Sequence, residues 1–139
     1  MTITSAICNS FKQEILVGTH NFTASSGNTF KLALFSSDSA SLSKSTTAYT
    51  APSSANAVPT NTLEVSQSKT DGGASNSGYT AGGNSLTSTT PALSGDTACV
   101  KFADTSFTSA TFTARGCLIY NSSASNKAVC AINFGADKT

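Results

Sequence analysis

Cys117-Leu118-Ile119-Tyr120-Asn121-Ser122-Ser123-Ala124-Ser125-Asn126-Lys127-Ala128-Val129-Cys130-Ala131-Ile132-Asn133-Phe134 decides the fold class. Two apolar runs, 117–120 and 128–134, flank a polar link of Asn, Ser and Ala. Runs this short and this apolar suit central strands, and the link has the chemistry of a hairpin connection. Upstream, Ala98-Cys99-Val100-Lys101-Phe102 places Val100 and Phe102 on one face of a strand. Phe30-Lys31-Leu32-Ala33-Leu34-Phe35 alternates in the same way, with Phe30, Leu32 and Leu34 inward. Residues 107–114 (Phe107, Thr111, Phe112, Thr113) are rich in strand formers, Leu63 to Gln67 is a weaker strand, and Leu86 to Thr90 stops at Pro91.

Only the N-terminal part carries a helical period. Ile7, Phe11 and Ile15 recur every four residues, which predicts a helix over 4–17 with Lys12, Gln13 and Glu14 facing away. Thr4 or Ser5 would cap its start, and Gly18 would stand at the C′ position. Two long polar segments interrupt the strands. Residues 36–62 are rich in Ser, Thr and Ala, and residues 68–85 are rich in Gly. Both read as loops without core residues, of the kind that carries a contact surface. Within the second, Gly78-Tyr79-Thr80-Ala81-Gly82-Gly83 reads as a glycine-dependent turn with its Tyr docked on the sheet. It lacks the following Lys and the strand–loop–helix setting of a phosphate loop.

The order of one helix followed by short strands gives a mainly β (α+β) fold. We expect one domain over 1–139: an antiparallel β-sandwich-like body of six or seven strands across 30–134, plus one N-terminal amphipathic helix. Its predicted core is Ile7, Phe11, Ile15, Leu32, Leu34, Val100, Phe102, Leu118 and Ile132. Composition agrees. Ser (24) and Thr (21) make up a third of the chain, and both weaken long helices. Charged residues are only 11%, against roughly 25% in an ordinary domain.

The same composition argues against several functions. The net charge is +1, the lysines are scattered and Arg115 is the only arginine, so no basic stripe for nucleic acid is present. No apolar run of about 20 residues could cross a membrane as a helix. The first residues lack the basic start of a secretion signal, which predicts synthesis in a cytoplasm. Cys8, Cys99, Cys117 and Cys130 match no zinc spacing, and each has apolar neighbours, so all four read as buried free thiols. His20 is the only histidine and reads as a surface or second-turn residue rather than a general base. The carboxylates stand singly, without a glycosidase-like pair. Neither a catalytic residue, nor a metal, nor a cofactor, nor a small-molecule substrate is expected.

Several segments, in order, resemble small virion structural proteins of tailed bacteriophages. They are 3–14 (Ile3-Thr4-Ser5-Ala6-Ile7-Cys8-Asn9-Ser10-Phe11-Lys12-Gln13-Glu14), 30–37, 45–50, 78–86, 107–116, 118–121 and 133–135. Residues 51–77 are longer and lower in complexity than the resemblance leads one to expect, and related chains continue past Thr139 into another strand. The resemblance implies a non-enzymatic protein of the phage particle, found in the virion and made in the host cytoplasm. Capsid decoration (cement) on the major capsid protein is favoured, with a minor tail protein as the alternative and a receptor- or carbohydrate-binding module behind both. The loops would then supply the contacts to the shell and to other copies, as a homo-oligomer with a trimer favoured, through Tyr49, Pro52, Val58, Leu63 and Tyr79.

Overall fold

A computed structural model describes residues 2–36, 40–50, 64–65 and 78–139. In chain order the elements are β1 (Ala6–Ile7), α1 (Asn9–Leu16), β2 (Phe30–Phe35), β3 (Asn84–Leu86), β4 (Ser88–Ser94), β5 (Thr97–Phe102), β6 (Ala114–Asn121) and β7 (Lys127–Lys138). Five of them form one antiparallel sheet in the order β1-β7-β6-β2-β3, and β4 and β5 form a separate two-stranded sheet. The fold is mainly β with one N-terminal helix, as the sequence predicts.

The β6–β7 hairpin holds the centre, and its link turns through Ser125 and Asn126, both at positive φ. Pairing of β2 with β6 places Leu32 opposite Ile119 and Leu34 opposite Cys117 on one face, and Ala33 opposite Leu118 on the other. The Ala33 face carries Phe35, Leu118, Tyr120, Ala128 and Ala131, and it is covered by Ile3, Ala40, Leu42 and Tyr49. The opposite face holds two clusters. One gathers Phe22, Phe30, Leu86, Ile119 and Val129, with Phe22 stacked on Phe30 at 4.2 Å. The other gathers Leu34, Val65, Tyr79 and Cys117 beneath Phe107 and Phe112.

Several expectations are corrected. The helix is shorter than 4–17, because Ala6 and Ile7 instead pair with Ala131 and Cys130 of β7. Its end is as expected. Gly18 has φ +73°, its N–H bonds Ile15 O, and Thr19 N–H bonds Glu14 O, which is a Schellman closure. β4 runs through Pro91 rather than stopping there, since a register shift between Thr89 and Ala92 removes the need for a Pro donor. Residues 107–113 are not a strand, and Phe107 and Phe112 fold over Tyr79 instead. The loop segments do contribute core, since Ala40, Leu42, Tyr49 and Tyr79 are buried.

Of the predicted core, Leu34 and Leu118 are buried, and Phe11, Leu32 and Phe102 are half-buried against the clusters. Ile7 of β1, Ile15 of α1, Val100 of β5 and Ile132 of β7 are exposed, because no described segment closes over them. Phe11 packs edge-on against Phe22 and beside His20, whereas Ile15 is 43% exposed. Phe11→Ala is therefore expected to cost about 3 kcal/mol in chemical denaturation, the lower end for emptying an aromatic site. Ile15→Ala should cost about 1 kcal/mol or less, since little area returns to water. Equal losses would show that the two residues share one buried stripe.

Candidate functional site

Residues that could carry chemistry converge in two places. The first lies at the open edge of β2. β3 pairs with β2 only as far as Leu32, and an isolated bridge joins Phe35 to Glu64, with Val65 N–H bonded to Leu34 O. Between these contacts the Leu34 N–H needs an acceptor, and the Tyr79 hydroxyl supplies it at 3.0 Å. That hydroxyl donates in turn to Glu64 Oε1 at 2.6 Å, which also accepts Gly82 N–H at 2.6 Å. Glu64 Oε2 accepts the Tyr49 hydroxyl at 2.7 Å. Tyr120 stacks on Tyr49 at 4.4 Å and donates to Gly82 O at 2.7 Å.

Glu64 is thus an acceptor for three donors and is only 1% exposed. Burial, reinforced by the Glu64 charge, pushes the Tyr49 and Tyr79 hydroxyls well above the usual tyrosine range, and Tyr120 up to about 12. The Gly78–Gly83 turn is what the sequence predicts. Gly82 and Gly83 have positive φ, and a Cβ on Gly83 would strike Leu32 O. The carboxylate at its centre is not legible in the sequence. Tyr49 and Tyr79, expected as assembly contacts, are buried inside the chain as its partners. Pro52, Val58 and Leu63 lie outside the described residues.

The second cluster ties α1 to the β6–β7 hairpin. His20 is buried, not superficial, because Phe11 and Phe30 flank its ring. Ser123 N–H occupies Asn121 Oδ1, so the Asn121 amide N–H₂ faces His20 Nδ1 at 3.0 Å and Asn28 Oδ1 at 2.9 Å. Nδ1 is therefore an acceptor, and Nε2–H donates to Glu14 Oε2 at 2.8 Å. Glu14 Oε1 accepts from Lys127 Nζ at 2.6 Å. Burial alone would raise the Glu14 carboxyl, but hydrogen bonds from Lys127 and His20, with the Lys127 charge, outweigh it and hold it below the usual range. Both ring nitrogens of His20 are thus engaged, and neither faces an open cleft.

Cys8 and Cys117 are buried free thiols, pushed up to about 11 and about 12 chiefly by burial. Cys130 is half-buried, and Cys99 is exposed because the β4–β5 ribbon that carries it stands away from the body. Among the described residues no cluster of three metal-ligating side chains occurs.

Two clefts are open to the outside among the described residues: a polar one of about 430 Å³ between Thr23–Thr29 and Ser85–Ser88, and an apolar one. The apolar cleft, of about 420 Å³, separates Ala98, Val100 and Phe102 of β5 from Ile7, Ile15 and Cys130 of the body. Leu16 (85% exposed), Val17 (74%) and Leu93 (76%) are further exposed apolar side chains. No protein-family model matches the chain, and comparison with curated proteins and with solved structures returns no match.

Proposed function

We propose that this chain is a non-enzymatic structural protein of a tailed-phage virion. The favoured role is a capsid decoration (cement) protein that binds the major capsid protein and other copies of itself. The observation that carries this reading is where polar and apolar groups stand. Glu14, His20, Glu64 and all three tyrosines are used in hydrogen bonds within the chain, while Leu16, Val17 and Leu93 stand uncovered. Such a molecule offers surface rather than a reactive group, and contiguous exposed apolar surface marks contacts with other macromolecules. Low charge supports the same reading, since an 11% charged chain pays little desolvation cost when packed in an assembly. A minor tail protein is the alternative. A sugar-binding module is disfavoured, because stacking on sugars needs exposed aromatic rings and the three tyrosines are buried.

Addition of purified protein to heads lacking it tests the proposal. Saturation at a fixed copy number, with decorated heads surviving higher temperature than bare ones, is the expected result. Recovery with tails and not with heads would replace decoration by the tail alternative.

A further inference from the structure

The β4–β5 ribbon is an arm. It is exposed along both strands except at its base, where Ser88 and Phe102 are partly covered. It is held there by Ala103 N–H to Thr87 O at 2.9 Å and Ala24 N–H to the Thr90 hydroxyl at 3.0 Å. Its two faces differ. Ala98, Val100 and Phe102 alternate along β5, and Leu93 lies directly opposite Ala98, so these four share one face. Thr97, Cys99 and Lys101 are on the other. A two-stranded ribbon is marginal alone in water and needs a further surface to rest on. Yet its apolar face lines an open cleft, with Val100 45% and Leu93 76% exposed.

We propose that the arm of one copy of this chain docks, by its Leu93–Ala98–Val100 face, in the cleft between arm and α1 of a second copy. The inference rests on the assembly reading above and names the occupant of the cleft. Three features favour a second copy. One face of the arm and the cleft are both apolar, and no described residue covers either, so one contact satisfies both. The cleft of about 420 Å³ has room for Leu93 and one or two neighbours, given that a cavity of about 150 Å³ holds one benzene ring. Charge agrees, since Asp96 sits at the arm's tip and Lys12 borders Phe11 and Ile15 on α1. The contact can be reciprocal in a dimer or cyclic in a trimer. In both, the occupant is this chain.

Sedimentation velocity of the full chain up to about 100 µM, above the micromolar constants of weak interfaces, tests it. A mass of two or three times 14.0 kDa is expected. Leu93→Asp and Val100→Lys, outside the buried core, should weaken association more than about tenfold while leaving the thermal midpoint unchanged. Lys12→Glu should weaken it, and adding Asp96→Lys should restore it; this exchange decides the matter if an arm variant fails to fold. A wild-type monomer at every concentration, or arm variants that associate like wild type, would overturn the proposal. A monomer that still saturates heads sinks the arm contact alone. Arm-dependent association without binding to heads or tails sinks the virion reading alone.

Discussion

Glu64→Ala is expected to lower the unfolding free energy by about 4 kcal/mol, measured by urea denaturation. Removing the carboxylate orphans the Tyr49 hydroxyl, the Tyr79 hydroxyl and the Gly82 N–H, all in a region closed to water. A buried donor left without a partner costs roughly 1–3 kcal/mol, and taking one member from a buried charged network costs about 3–5 kcal/mol. Whole domains have only about 5–15 kcal/mol to lose, so the variant should sit near its folding threshold. Glu64→Gln keeps the volume and an acceptor oxygen but turns an amide N–H₂ toward a donor, so about half the loss is expected. Tyr79→Phe should cost about 2 kcal/mol, because the Leu34 N–H then loses its acceptor as well. A loss below about 1 kcal/mol in Glu64→Ala would mean that the cage does not hold the edge of β2.

The parts of this fold that could be read in advance are those whose partners lie close in sequence. The 117–134 hairpin carries its own turn chemistry, and Gly18 and Gly82-Gly83 announce positive φ wherever the chain goes. The period of four places the start of the helix too early for a definite reason. Ile3, Ile7, Phe11 and Ile15 keep a spacing of four, but Ile3 is buried under one sheet face while Ile7 belongs to a strand completed by residues 130–131. A local period cannot report a partner more than a hundred residues away.

For β5 the alternation correctly put Val100 and Phe102 on one face. It could not say that no described segment closes over that face. The polar clusters were hidden by distance too. Glu64 and Glu14 look like solitary solvated carboxylates until the fold brings Tyr49, Tyr79, His20 and Lys127 to them. One signal was available. The chain has few carboxylates and only three tyrosines, and two of those tyrosines lie in loops otherwise poor in large side chains. Both loop tyrosines are buried.

Both clusters fasten segments that the sheet does not hold by its own ladder. Glu64 anchors the Gly78–Gly83 turn and the Tyr49 segment to the edge of β2. The Lys127–Glu14–His20–Asn121 chain fastens α1 and the segment after it to the β6–β7 hairpin. In a domain so rich in Ser and Thr, such bonds supply the specificity that a larger apolar core would otherwise give. Their cost is sensitivity to any change in the protonation of the groups involved.

The chain is accordingly expected to lose stability steeply in alkali, by about 4 kcal/mol at about pH 11 from its tyrosines alone. In the folded protein all three hydroxyls are held above the free value, through burial first and the Glu64 charge second. In the unfolded chain each ionises near about pH 10. Above that value the unfolded state has lost protons that the folded state keeps, so stability falls as pH rises. The contribution is complete below about pH 10 and disappears as pH climbs through the folded values. Each tyrosine subtracts roughly 1.4 kcal/mol per pH unit over this window. Cys8 and Cys117, raised to about 11 and about 12 by burial, act in the same direction. Because a free thiol ionises near about 8.5, their part of the loss begins earlier. Denaturation midpoints measured across this range should fall together, and tyrosinate absorbance should rise only with loss of the β circular-dichroism signal. Tyrosinate forming near about pH 10 in protein that remains folded would show that the hydroxyls reach solvent and that the Glu64 cage is open.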